Sequence, residues 1–294
     1  MPLKTELLQQ LKTFLANHNR SFTGIKNIKP VSGGDINQAW CLDAGIEKYM
    51  LKVNSRIAYP QMFAREAAGL EAIRQTDTIA VPTVIYYSDA SEDSFLLMEW
   101  IETRRPTDKA SVQLGQQLAQ MHKHSAPYFG FDVDNYMGSL PQSNRKHESW
   151  KSFFAEERLM PLVKMAFDKR MLSERDVKNF ERVCNKLGEL FAEEESSLIH
   201  GDLWGGNYLI SANEKPYLID PAVSYGHREF DLAMTTLFGG FSRSFYEAYH
   251  TEFPLSPNWQ QRIDLWNLYP LLVHLILFGA GYLGQVRDGV RVYM

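Results

Sequence analysis

"LIHGDLWGGNYLI", residues 198–210, sets His200, Asp202 and Asn207 between two apolar ends, with a tryptophan and a pair of glycines among them. Such a polar knot is either an ordinary loop or the centre of the chemistry, and the residues after it help to separate the two. Residues 208–211 and 216–219 are apolar-rich runs split by the polar Ala212-Asn213-Glu214-Lys215, the pattern of a short hairpin. Antiparallel pairing about that turn predicts that Asn207 and Asp220 face each other at its open end. An amide oxygen and a carboxylate so placed suit one hard cation such as Mg²⁺. Both residue types also end strands for turn reasons alone.

Asp202 shifts the balance. It lies five residues before Asn207 in an H-x-D-x₄-N arrangement, with Asp220 eighteen residues further on. This is the spacing of the catalytic loop and metal-binding aspartate in kinase-like phosphotransferases. Phosphoryl transfer needs one carboxylate to orient the attacking hydroxyl and take its proton, a role for Asp202. It also needs oxygen ligands for the metal, a role for Asn207 and Asp220. His200 is read as a structural residue that fixes the loop by hydrogen bonds. Asp231, with His227-Arg228, is expected to brace the same loop, because buried charges seek partners.

The same reading makes demands upstream. A lysine is required on the third strand, and Lys52 stands in Tyr49-Met50-Leu51-Lys52-Val53, on the face opposite Tyr49, Leu51 and Val53. A glutamate is required on the next helix, expected over 61–74, and Glu66 is placed to hold the lysine over the α- and β-phosphates of ATP. Ser32-Gly33-Gly34 forms a turn between the first two strands, where bare N–H groups can approach an anion. The strand over 95–101 runs into the hinge, so Met98, Glu99, Trp100 and Ile101 are assigned to the nucleotide, with backbone at 99–101 facing adenine.

Around these parts the chain divides into a small strand-rich lobe, 1–101, and a larger, mainly helical lobe, 102–294, with a ligand cleft between them. The fold class is α+β and protein-kinase-like, with an antiparallel sheet in the first lobe. Helices are expected at 108–124, 149–167, 173–196, 228–250 and 259–279, with the hairpin at 207–219 the one exception. Glu193-Glu194-Glu195 reads as a solvated helix face. A net charge of −4 offers nothing to nucleic acid or an anionic membrane. Cys41 and Cys184 are too few for a disulfide framework, which points to a reducing, cytoplasmic setting. Leu3, Leu7, Leu8, Leu11, Phe14 and Leu15 make the N-terminus an amphipathic helix and not a signal peptide. The apolar run 268–283 is broken by Pro270, His274, Gly279 and Gly281, so it reads as a buried core helix and not a membrane span.

The chain departs from protein kinases in ways that favour a small acceptor. Trp204 stands where many carry a lysine, and Asp220 is followed by Pro221-Ala222. Only ten residues separate Asp220 from Asp231, too few for a peptide-supporting activation segment. His200-Gly201-Asp202-Leu203-Trp204-Gly205-Gly206-Asn207 resembles the signature of the fructosamine kinase (ketosamine 3-kinase) family, a branch of the aminoglycoside-phosphotransferase-like superfamily. Asn135-Tyr136-Met137-Gly138, Pro141-Gln142-Ser143-Asn144, Trp150-Lys151-Ser152-Phe153-Phe154 and Leu237-Phe238-Gly239-Gly240-Phe241 extend the resemblance nearly end to end. So do Leu271-Leu272-Val273-His274 and Phe278-Gly279-Ala280-Gly281-Tyr282.

The resemblance implies Asp202 as base, Asn207 and Asp220 as metal ligands, and Lys52 with Glu66 as the phosphate-positioning pair. The implied reaction is Mg²⁺- and ATP-dependent phosphorylation of the sugar 3-hydroxyl of a ketosamine, after which the adduct decomposes and frees the amine. Fructosyl, ribulosyl and erythrulosyl adducts, free or protein-bound, all fit, and no oligomeric partner is specified. Some relatives carry a regulatory cysteine in the glycine loop; here that position is Asp35, which argues against such regulation. For Trp204 two readings stay open, an apolar wall for the acceptor or packing between loop and helices. The alternatives are an aminoglycoside or choline kinase type of phosphotransferase, or a nucleotide-binding pseudokinase. The joint presence of Asp202, Asn207 and Asp220 argues against the last.

Overall fold

The computed structural model describes residues 3–31 and 36–294. Ser32, Gly33, Gly34 and Asp35 lie outside the described residues, and with them the glycine turn. Helix α1 (Thr5–His18) buries Leu7, Leu11 and Leu15, a stripe one residue in four. It is followed by β1 (Asn27–Pro30), β2 (Gln38–Asp43) and β3 (Lys48–Ser55), then α2 (Met62–Gln75), β4 (Val84–Ala90) and β5 (Asp93–Glu99). The strands form one antiparallel sheet in the order β1-β2-β3-β5-β4. The period of two divides its faces. Leu51, Val53, Phe95 and Leu97 pack with α1, whereas Leu96 and Met98 pack with α2. Lys52 lies on the α2 side, as its strand position predicts.

Helix α3 (Asp108–His122) opens the helical part, capped by Thr107, whose side chain accepts from Ala110 N–H. A hairpin, β6 (Asn135–Met137) and β7 (Leu140–Gln142), precedes α4 (Trp150–Phe153), a π-helical turn (Phe154–Leu159), α5 (Met160–Asp168) and α6 (Glu174–Leu190). Strands β8 (Ser197–Ile199), β9 (Tyr208–Ile210), β10 (Pro216–Leu218) and β11 (Ser224–Gly226) carry the signature region. The chain closes with α7 (Glu229–Leu237), α8 (Arg243–Glu252), α9 (Ile263–Phe278) and α10 (Leu283–Val292). Among the described residues no helix is long and apolar enough to cross a membrane.

Several expectations need correction. The hairpin at 207–219 is not alone among the helices: β6 pairs with β7 and β8 with β11. Three-residue strands are too short to leave a periodic trace. Helix 173–196 stops at Leu190, because Phe191 is extended. Glu194 then turns inward, and its carboxylate takes Arg228 Nε at 2.7 Å, so it is not on a solvated face. The helix expected over 228–250 is two, parted at Gly239 and Gly240, both at positive φ. Helix α9 is buried along 265–276 as expected, but it ends at Phe278, where Gly279 has φ 95°. A further helix, α10, follows it.

The hydrophobic interior does not divide at residue 101. One cluster joins Phe63, Leu70, Leu96 and Met98 to Leu118, Leu203, Leu218, Leu232 and Phe245. This cluster, one of three among the described residues, ties the sheet to the signature loop.

Candidate active site

The loop after β8 takes its shape from a buried carboxylate. Asp231, on α7 and fully buried, accepts from His200 N–H at 2.6 Å and from Gly201 N–H at 2.8 Å. His122 Nε2 donates to the same carboxylate at 3.1 Å, while His122 Nδ1 accepts from the hydroxyl of Tyr249 at 2.8 Å. This relay from α3 and α8 was not foreseen. A histidine one turn after Leu118 on the buried face of α3 was the available signal. Arg228 and His227 do not brace the loop: Arg228 holds Glu194 and the carbonyls of Phe253 and Pro254, and His227 stacks on Trp266.

His200 is buried, which lowers its pKa and keeps the imidazole neutral. Nε2–H then donates to the Ile219 carbonyl at 2.8 Å, and Nδ1 accepts from Asp202 N–H at 3.2 Å. The imidazole thus links the loop to the end of β10. Gly201 has φ 80°, and a Cβ there would lie 2.2 Å from the Ala222 carbonyl, so the position tolerates only glycine.

Asn207 Nδ2 donates to the backbone carbonyl of Asp202 at 2.8 Å and to its Oδ2 at 2.9 Å. The hairpin register differs by one from the expected facing pair. Leu218 lies opposite Tyr208, and Ile219 N–H bonds to the Asn207 carbonyl at 3.0 Å. Asp220 therefore sits one residue past the pair and turns back at φ 56°. That turn brings its Oδ1 to 2.6 Å from Lys52 Nζ, whose other partner is Glu66 Oε1 at 2.7 Å. Burial lowers the pKa of Lys52, but Asp220 and Glu66 outweigh it and hold it above the usual range. Asp202 is pushed up to about 7, first by burial and then by the charge of Asp220.

Among the described residues no side-chain or backbone donor occupies Asn207 Oδ1 or Asp220 Oδ2. Two oxygens with their other polar atoms already committed are the donor set a hard divalent cation takes. At the hinge, Glu99 N–H is taken by the Thr83 carbonyl at 2.9 Å. The amides of Trp100 and Ile101 are not bonded in this way among the described residues.

Trp204 is 37% exposed, which is not a core environment. Its indole folds back over Gly206, where any Cβ would lie 2.2 Å from the ring. It meets Phe238 edge-on at 6.1 Å, and Phe238 packs on His274 at 4.8 Å. Trp204, Phe238 and His274 thus form an aromatic shelf that begins two residues after Asp202. Phe238 and His274 were read only as parts of a resemblance, since their sequence distance from the loop hides the contact.

The family model for fructosamine kinase matches residues 7–294. A Synechocystis protein named as a probable ketoamine kinase is 41% identical over 91% of this chain and 90% of its own. The mouse ketosamine-3-kinase is 35% identical over 88% of this chain and 92% of its own. The crystal structure of a Thermobifida fusca protein, described as a candidate fructosamine-3-kinase, has a TM-score of 0.86 at 33% identity, covering 96% of this chain and 98% of that one. A thermostable mutant of the aminoglycoside phosphotransferase APH(4)-Ia, in a ternary complex with AMP-PNP and hygromycin B, shares the fold at TM-score 0.64 and 16% identity, over 96% of this chain and 98% of its own.

Proposed function

The chain belongs to the fructosamine kinase family, and from that premise we propose that it transfers the γ-phosphoryl group of ATP to the sugar 3-hydroxyl of ketosamines. The observation that carries this reading is the position of Lys52 Nζ, buried and bonded to both Glu66 and Asp220. That arrangement brings to one point the pair assigned to the phosphates and a carboxylate assigned to the metal.

Residues 1–101 hold the nucleotide in this account, and 102–294 carry the base and the acceptor. Asp202 accepts the proton of the acceptor hydroxyl as its oxygen attacks the γ-phosphorus, and ADP leaves. The rise in the Asp202 pKa makes it a better proton acceptor than an exposed aspartate, and Asn207 fixes its orientation. Lys52 gives its charge to the phosphates, with Glu66 keeping it extended. Asn207 Oδ1 and Asp220 Oδ2 would hold Mg²⁺, which when bound neutralises charge on the phosphates. Trp204, Phe238 and His274 offer an aromatic wall with one polar edge, and the exposed Trp204 ring suits the C–H face of a sugar. Cys41 and Cys184 are both free, in keeping with a cytoplasmic enzyme. A 3-phosphorylated ketosamine loses its sugar, so the biological role is removal of glycation adducts.

The test is coupled ADP release with a panel of ketosamines, aminoglycosides and choline. Ketosamines are expected to give the highest kcat/KM by at least tenfold. A preference for an aminoglycoside or choline would move the chain to the alternative class. ATP binding without ADP release from any acceptor would favour a pseudokinase.

A further inference from the structure

The hairpin β6–β7 contacts two elements next to the site, α2, which carries Glu66, and the segment that follows Asp220. Its root is built from buried amides. Asn135 Nδ2 donates to the Val223 carbonyl at 2.9 Å, and Gln142 Nε2 donates to Asn135 Oδ1 at 2.7 Å. The hydroxyl of Tyr269 donates to Gln142 Oε1. Arg158 Nη2 donates to Asn144 Oδ1 at 2.6 Å, just beyond the hairpin. Asn135, Gln142 and Asn144 are all at most 7% exposed. The root is thus fixed to Ala222–Val223, the segment that follows Asp220 and Pro221.

The other end reaches across the cleft. The hydroxyl of Tyr136 donates to the Pro60 carbonyl at 3.0 Å, and its ring meets Tyr59 edge-on at 6.4 Å. Gly138, at the tip, fits between Leu277 and Ile36, where a Cβ would lie 3.0 and 3.2 Å from their methyl carbons. Tyr59 and Pro60 form the turn into α2, and that helix start is weakly held by its own residues. Gln61 at the N-cap has φ 60° and makes no side-chain cap, and the first turn carries no acidic residue. Glu66 follows one turn later. Farther along, Gly69 brings α2 onto Pro221 and Val223, with a Cβ position 3.2 Å from Val223 Cγ2. Hairpin, helix and post-Asp220 segment therefore close a triangle.

We propose that the β6–β7 hairpin is an inter-lobe clasp and that Tyr136 is the positioning residue through which it holds α2, and with it Glu66, against Lys52 and Asp220. A long activation segment has no room here, because ten residues separate Asp220 from Asp231. The clasp supplies from a fixed C-lobe root the restraint that keeps the Lys52–Glu66 pair assembled. The inference rests on the phosphotransferase reading, but its test does not need an acceptor.

The test compares the full chain with Tyr136→Phe, which removes only the hydroxyl, and Tyr136→Ala. Amide hydrogen exchange is read across the protein, and the affinity for Mg·ADP is read by calorimetry. Tyr136→Phe is expected to speed exchange in the first two turns of α2. It should weaken Mg·ADP binding about threefold to tenfold, the factor one hydrogen bond is worth. Tyr136→Ala should do more of both. In a Glu66→Gln background the effect of Tyr136→Phe on affinity should shrink to less than twofold. Unchanged exchange in α2, faster exchange spread evenly over the C-lobe, or a loss that adds fully to that of Glu66→Gln would overturn the clasp. Failure of the ketosamine reading would show separately, as absent ADP release while these binding effects persist.

Discussion

Asp202 and Asp231 are two aspartates with opposite tasks, and their surroundings separate them. Asp231 is sealed, with donors from His200, Gly201 and His122. Replacing it with alanine strands two backbone N–H groups and an imidazole, so Asp231→Ala should cost about 3–5 kcal/mol of stability, read as a fall in the urea midpoint. Asp202 opens to the cleft and has one side-chain donor, Asn207. Asp202→Ala is expected to fold, to bind Mg·ADP like the parent, and to lose turnover by roughly 10² to 10⁴-fold. Parent-like turnover would remove Asp202 from the mechanism. Trp204→Ala should raise the acceptor KM several-fold with the ATP KM unchanged, and Trp204→Phe should restore part of it, since the shelf needs a flat ring more than an indole. Lys52 adds a stability test to a catalytic one. Lys52→Ala leaves Glu66 buried without a cation and should cost about 3 kcal/mol. Adding Glu66→Ala should regain part of that stability without regaining activity, as thermal melts beside ADP release would show.

At the scale of elements, the sequence was legible where a motif occupied a regular segment. Lys52 on β3, Glu66 on α2 and the β9–β10 hairpin follow from alternation, helical spacing and a polar turn. The one-residue shift that puts Asp220 past the hairpin, at φ 56°, was not legible, because register depends on backbone bonds that side-chain pattern does not report. The π-helical turn and the short strands β6, β7, β8 and β11 escaped for a related reason: long-range contacts, not local propensity, hold them. Helix packing also yields a prediction outside the cleft. Asp176 in α6 has its pKa lowered to about 2, chiefly by Arg287 of α10. A depressed carboxylate stabilises the fold above its unfolded value and loses that contribution as pH falls through its folded value. The α6–α10 contact should therefore weaken between about pH 4 and pH 2. Arg287→Ala should lower stability by about 1 kcal/mol near pH 7, discounted because Arg287 is half-exposed, and the difference from the parent should vanish near pH 2. A constant difference across that range would assign the loss to packing instead.

Over the whole molecule, one of three hydrophobic clusters among the described residues links the sheet to the signature loop, and the β6–β7 hairpin joins the turn into α2 to the segment after Asp220. The sheet supplies Lys52, the helix above it Glu66, the signature loop Asp202 and Asn207, and the turn after β10 Asp220. Sheet, helix, loop and turn are four separate stretches of the chain, which is why the site depends on long-range packing and why order along the sequence was its best advance signal. The shared fold with aminoglycoside phosphotransferases does not fix the acceptor, which we propose the aromatic shelf receives, and that is where the central claim is most exposed. The decisive measurement is NMR location of the phosphate on the product formed from ATP and a fructosamine. The account predicts a single phosphorus coupled to the proton on sugar carbon 3, with the product then releasing free amine. A phosphate on any other hydroxyl, or no phosphorylated sugar while ADP accumulates, would contradict it.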